Sequence, residues 1–198
     1  MKYYAIRTID GENINKILTS WDECKALVQG HNCEYKSFKI ETQAIDYIND
    51  YKKEEKENDV LDSEKYVYYV DGSYLNDNIG WGFILTKHNE ELTRMSGGII
   101  PNQDTSRNIT GELTASIMAV RHAISNGFKE IYIVNDYQGI SSYVTGAWKP
   151  KTKESKEYLN IMNKLQKYIK INFIKVKGHS NNKWNDKVDE LAKLGTTL

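Results

Sequence analysis

Residues 51–65 carry 4 basic and 6 acidic side chains, with Tyr51, Val60 and Leu61 as the only large apolar residues. A charge taken out of water without a partner is costly, so a hydrophobic core cannot run through such a stretch. A length of 198 residues suits one large domain or two small ones, and this stretch favours two bodies, each with its own core: residues 1–50 and residues 66–198. The stretch between them reads as a charged linker, or as a frayed extension of the helix before it.

The first body is small. Residues 3–7 (YYAIR) read as a strand, residues 10–15 as a polar turn and residues 16–18 as a second strand. Thr19 and Ser20 followed by Asp22 and Glu23 form a helix-start signal, hydroxyl cap then acids in the first turn. Trp21, Cys24, Leu27 and Val28 fall at helical spacing, and Gly30 can end that helix. Residues 35–40 alternate as a third strand, and residues 41–43 open a second helix through Ala44, Ile45 and Ile48. This predicts a three-stranded α+β module. Cys24 and Cys33 match no metal-site spacing and are expected to be reduced thiols. No signal peptide and no membrane-length apolar run is visible, so the expectation is a soluble, cytoplasmic monomer.

The second body opens on residues 66–73 (YVYYVDGS), β-branched and aromatic up to Val70, which read as a buried strand delivering Asp71 at its end. Residues 74–78 read as a turn. Residues 80–86 and 92–98 follow as strands at short spacing, which argues an antiparallel meander. A helix over residues 110–126 carries Leu113, Ile117, Val120 and Ile124 on one face. Then come a strand at 130–135 with Asp136 just past it, a helical stretch at 137–145 and a loop at 146–155. A helix through Tyr158, Met162 and Leu165 follows, then a strand at 171–176, a polar loop and a last helix at 184–194. Strands first antiparallel and then alternating with helices predict an α/β fold, a mixed five-stranded sheet flanked by helices.

Charge and carboxylates point to chemistry. Residues 66–198 hold 17 basic and 13 acidic side chains, and residues 149–187 hold 11 Lys against 3 acids. Such an excess fits a polyanionic partner, with a solvated lysine face as the plain alternative. An Asp after a strand often only bonds its own turn. Asp71, however, has company at element ends: Glu112 opens a helix, Asp136 follows a strand, and Asp189 lies in the last helix with Asn185 one turn earlier. If the strands before Asp71 and Asp136 are neighbours, both carboxylates enter one cleft that Glu112 and Asp189 can reach. Four carboxylates in one cleft need cations. Oxygen donors without thiols favour Mg2+ or Mn2+ over zinc. Two ions about 3.5–4 Å apart would clamp the attacking and leaving oxygens of an in-line phosphoryl displacement.

The segments VDGS (70–73), TGELTA (110–115), VNDYQGI (134–140), VKGHS (176–180) and NDKVDELAK (185–193), in this order, resemble a type 1 ribonuclease H across residues 66–198. The resemblance implies an endonuclease that cuts the RNA strand of RNA–DNA hybrids and leaves 5′-phosphate and 3′-hydroxyl ends. The family's metal-binding carboxylates match Asp71, Glu112, Asp136 and Asp189, with Asp71 shared between two Mg2+ ions, and Mn2+ a substitute. His179 matches the family's mobile-loop histidine, which handles the leaving group or product release. Asn108 matches a residue that reads 2′-hydroxyls. Ile109 and Arg107 depart from the family pattern, and Arg107 can contact phosphate itself. Trp148, Lys149, Lys151 and Lys153 lie in a short loop with no room for the basic handle of some bacterial members.

Residues 1–50 are similar to the hybrid-binding, viroplasmin-like module through YYAIR, TSWDECKALVQG and YKSF. That likeness implies stacking of Trp21 and Tyr35 on sugars of the DNA strand, Tyr4 near the RNA strand and Lys36 on a phosphate. Ser37 replaces a second lysine. Double-stranded RNA is a further partner to be expected for this module, and Trp21 and Tyr35 as core aromatics are the alternative. An integrase-like nuclease usually shows three acids. A module that captures hybrids or double-stranded RNA without cutting would not need all four acids and His179.

Overall fold

The computed structural model describes residues 2–61, 64–101, 106–176 and 182–198, with the backbone alone for residues 51–59 and 61. The chain divides into two units, Met1–Val60 and Leu61–Leu198.

In the first unit, β1 (Tyr3–Ile9) is the central strand of an antiparallel sheet, with β2 (Glu12–Leu18) and β3 (Cys33–Phe38) on either side. Asp10 and Gly11 both hold positive φ, at 51° and 86°. That makes a two-residue turn, so β2 begins at Glu12 rather than at Lys16. Alternation along β1 sends Ala5 to one face and Ile6 to the other. Ala5 packs with Ala44 and Ile48 of α2 (Glu41–Leu61), and Ile6 with Cys24 and Val28 of α1 (Trp21–Val28). The Ser20 hydroxyl caps α1 by accepting from the Glu23 N–H at 3.5 Å. Helix α2 continues to Leu61, through most of the charged stretch. Lys and Glu are strong helix formers and can hold a helix without a core to pack on.

In the second unit, β4 (Val67–Leu75), β5 (Asn78–Lys87) and β6 (Glu90–Ile99) form an antiparallel meander. After α3 (Asn108–Ser125), β7 (Glu130–Asn135) pairs parallel to β4. Helices α4 (Gly139–Thr145) and α5 (Lys153–Leu165) lead to β8 (Lys170–Lys175), parallel to β7, and α6 (Lys183–Gly195) closes the unit. The sheet order is β6-β5-β4-β7-β8, the mixed five-stranded sheet expected. Its core gathers Tyr68, Val70 and Phe83 with Leu113, Ala119, Ile131, Ile133 and Met162.

One local expectation is corrected. Strand β4 does not end at Asp71 but runs on to Leu75, and the turn is confined to Asn76 and Asp77, at φ 51° and 61°. Strand β5 keeps β4 paired all the way, with Asp71 opposite Gly82, whereas β7 pairs only with Val67, Tyr68 and Tyr69. Asp71 therefore sits where the β7-facing edge of β4 has opened. His122, half-buried, shares a hydrogen bond of 2.8 Å between its Nδ1 and the Tyr68 hydroxyl, a structural role. Among the described residues no helix is long and apolar enough to cross a membrane.

Candidate active site

Strand β4 has an antiparallel neighbour on one side and a parallel one on the other. Because β7 pairs with β4 only through Tyr69 while β4 runs on to Leu75, an opening lies beyond the carboxyl end of β7. Asp71 lies on the open edge of β4, and Asp136 is the first residue after β7. Glu112 comes from the first turns of α3, and a close backbone approach brings it in. A Cβ on Gly72 would lie 2.6 Å from the Asn108 carbonyl oxygen and would overlap the Glu112 amide nitrogen. A Cβ on Gly111 would lie 2.9 Å from Gly72 Cα and would overlap the Gly80 carbonyl. Only hydrogen at both positions lets α3 rest on the backbone of β4. The Thr110 hydroxyl donates to Glu154 of α5, which ties down the same turn.

Ligand oxygens of Asp71, Glu112 and Asp136 all lie within 4.8 Å of one another. Burial, then the charge of Asp136, pushes the Asp71 carboxyl up to about 7, against the Gly72 N–H that donates to its Oδ1 at 2.7 Å. Burial, then the charges of Asp71 and Asp136, raises Glu112 further, to about 9. Glu112 Oε2 is buried with no hydrogen-bond partner. The three carboxylates line a cavity of about 180 Å³ together with Asn108, Asn185, Asp186 and Asp189. Asp189 faces the same cavity but is already engaged: Lys193, one turn later on α6, donates to its Oδ2 at 2.6 Å. Asn182 caps α6 by accepting from the Trp184 and Asn185 N–H groups at 3.0 and 3.3 Å. The Trp184 indole N–H donates to Asn89 at 2.6 Å, which pins the helix to the sheet.

This donor set fits a hard divalent cation. It offers oxygen only, with no thiol or imidazole among the described residues of the cavity. The burial and, after it, the mutual repulsion that raise Asp71 and Glu112, and the orphaned Glu112 oxygen, are what a cation would offset.

The expected nucleic-acid contacts fall in two places. Asn108 lines the carboxylate cavity, and exposed Arg107 lays its guanidinium over the Tyr74 ring at 5.2 Å. Ile109, where the family pattern departs, packs against the core. In the first unit Tyr4, Trp21 and Tyr35 form one strip, with ring centroids 5.4 and 6.4 Å apart. Trp21 is 44% exposed and Tyr35 42%, so neither is a core aromatic. Lys36 is exposed on the other face of the sheet, the face of Ala5 and Phe38, its ammonium 5.7 Å from the Phe38 ring. His179 lies outside the described residues. Sequence reading missed Lys193, although an acid and a lysine four apart on a helix were a legible signal. It also missed Asp186 as a lining residue. The seat made by Gly72 and Gly111 has no local signal, since it depends on what packs above.

A ribonuclease H family model matches residues 63–197, and a ribonuclease H1 N-terminal domain model matches residues 2–48. A ribonuclease H of Chlorobium phaeobacteroides is 32% identical over 148 residues, covering 66% of this chain and 94% of that one. One of Acetivibrio thermocellus is 30% identical over 141 residues, covering 65% and 92%. Among solved structures, RNase H1 of the archaeon Halobacterium salinarum superposes with a TM-score of 0.58 at 20% identity, covering 66% of this chain and 96% of that one. LC11-RNase H1 in complex with an RNA/DNA hybrid gives 0.58 at 20% identity, covering 67% and 97%. At such identities the structural likeness speaks for the fold.

Proposed function

The chain belongs to the ribonuclease H family, and from that premise we propose that it cuts the RNA strand of RNA–DNA hybrids with two divalent cations, Mg2+ or Mn2+, leaving 5′-phosphate and 3′-hydroxyl ends. The observation that carries this is the convergence of Asp71, Glu112 and Asp136 within 4.8 Å around an orphaned carboxylate oxygen. Asp71 and Asp136 would hold the cations directly, and Glu112 and Asp189 would complete the set. Bound there, the cations supply Lewis-acid charge at the scissile phosphate and an activated water. The Lys193 ammonium holds Asp189 Oδ2, an oxygen that a cation at the site would have to share. Asn108, at the cavity wall, is placed to read a 2′-hydroxyl. His179 serves the leaving group or product release.

The first unit supplies grip. Its exposed Trp21 and Tyr35 rings, backed by half-buried Tyr4, offer faces for stacking, and Lys36, on the other face of the sheet, is the phosphate contact. Double-stranded RNA is a second duplex this unit can hold. The enzyme would act as a monomer in the cytoplasm. A module that binds hybrids without cutting is the other reading, and the intact carboxylate set speaks against it.

Incubation of a labelled RNA–DNA hybrid with the intact chain and Mg2+, beside DNA and RNA duplexes, tests the proposal. The expected result is cleavage of the RNA strand of the hybrid alone, with 3′-hydroxyl ends that a polymerase can extend. Hybrid binding without Mg2+-dependent cleavage would leave the binding-module reading.

A further inference from the structure

Asn135 is the last residue of β7, directly before Asp136, and only 1% of it is exposed. Its backbone carbonyl is satisfied, accepting from the Val176 N–H at 2.9 Å. Its side chain is not: neither Nδ2 nor Oδ1 has a hydrogen-bond partner. A buried carboxamide with both ends unpaired is a sharp anomaly, because buried polar groups nearly always find partners. An apolar residue of similar size would be the stable choice in a strand that otherwise buries Ile131, Ile133 and Val134.

Alternation places Asn135 on the face of β7 that carries Ile131 and Ile133. Those two pack in the core beneath α3, with Leu113, Ala115 and Ile140. Helix α3 also supplies Glu112, whose Oε2 is buried and equally without a partner. Among the described residues of this unit, every unpartnered buried side-chain nitrogen or oxygen belongs to Glu112 or Asn135. One side offers an acceptor, the other a donor pair and an acceptor. Asp136, the chain neighbour of Asn135, has its carboxylate within 4.8 Å of that of Glu112.

We propose that Asn135 is a positioning residue for the carboxylate site: its Nδ2–H donates to the free Glu112 oxygen, directly or through one buried water, when the site holds its cation. The inference rests on the cation-binding reading of the three carboxylates. Asn135 touches no substrate. It orients a ligand, and groups that orient a ligand are worth about 10–100-fold in metal affinity or activity.

Asn135→Val and Asn135→Thr are nearly equal in shape, and only Thr keeps a donor. In the intact chain, Mg2+ alone is titrated while the melting temperature is followed, and kcat and KM are measured on a labelled hybrid. The expected Asn135→Val protein needs about tenfold more Mg2+ for half of the stabilisation, and loses about 10–100-fold in kcat with KM unchanged. Asn135→Thr should stay within about threefold of the parent, on the same donor argument. Should Asn135→Val fail to fold in EDTA, Asn135→Leu takes its place. Equal Mg2+ midpoints and equal kcat in the donor and donor-less variants would overturn the inference and leave Asn135 a mere buried liability. If the parent itself gains no stability from Mg2+, the cation reading falls and takes this inference with it.

Discussion

Glu112→Gln should make the metal-free protein more stable at pH 8 while abolishing cleavage. Burial and the charges of Asp71 and Asp136 raise Glu112 from an ordinary 4.5 to about 9. At pH 8 the folded chain must keep this group protonated 3.5 units above its ordinary value. At about 1.4 kcal/mol per unit, that sets a ceiling of about 5 kcal/mol. Side-chain relaxation and water entry lower it, so a gain of about 2 kcal/mol is expected, or roughly 4–8 °C in melting temperature. The sign follows from the direction of the shift. A carboxyl raised on folding favours the folded state fully below its ordinary value, and that advantage is lost as pH rises through the folded value. Asp71, raised to about 7, acts in the same direction. In EDTA the parent should therefore melt lower at pH 7 than at pH 5, and lower again at pH 9. The Glu112→Gln variant should fall less steeply. Mg2+ at pH 8 should restore the parent more than the variant. Circular-dichroism melts at the three pH values, with and without Mg2+, make the measurement. A flat parent profile, or a variant that melts below the parent at pH 8, would refute the electrostatic account.

Asp71→Asn should lose detectable cleavage and still bind hybrid, checked by turnover and a binding titration side by side. Gly72→Ala should cost about 1–3 kcal/mol, because its Cβ meets backbone of α3 that cannot yield as a side chain would. It should also lower turnover by displacing Glu112, and an unchanged melt with unchanged turnover would remove the glycine seat as its cause. His179→Ala should lower turnover with little change in hybrid affinity, and the reverse pattern would make it a binding residue. Trp21→Ala should weaken hybrid binding by no more than about 1–3 kcal/mol and leave cleavage chemistry intact. Removal of residues 1–64 should do the same, and three proteins of equal affinity would show that the strip serves something else.

Much of the fold was readable locally. Apolar periodicity marks strands and helices within a few residues, and the charged stretch separates two cores, because burial of charge is prohibitive whatever surrounds it. The acids were visible for a similar reason: Asp71, Glu112, Asp136 and Asp189 each stand at or near an element whose apolar pattern is plain. Helical spacing alone, however, groups Trp21 with Cys24 and Val28. The three-stranded sheet is narrow enough to cover only the latter two, and Trp21 is left 44% exposed. Likewise Asp71-Gly72-Ser73 reads as a strand end, yet β5 offers a continuous partner and holds the segment extended.

The sequence by itself determined which residues can bear charge, turn the chain or fill a core, since those are properties of single side chains and their near neighbours. Only the tertiary structure decided that α3 rests on β4 through Gly72 and Gly111, that Glu112 and Asn135 are buried without partners, and that Lys193 takes one oxygen of Asp189 while the other three acids converge. Desolvation and charge repulsion depend on every element packed around a group, so the raised carboxyls of Asp71 and Glu112 exist only once strand, helix and crevice have met.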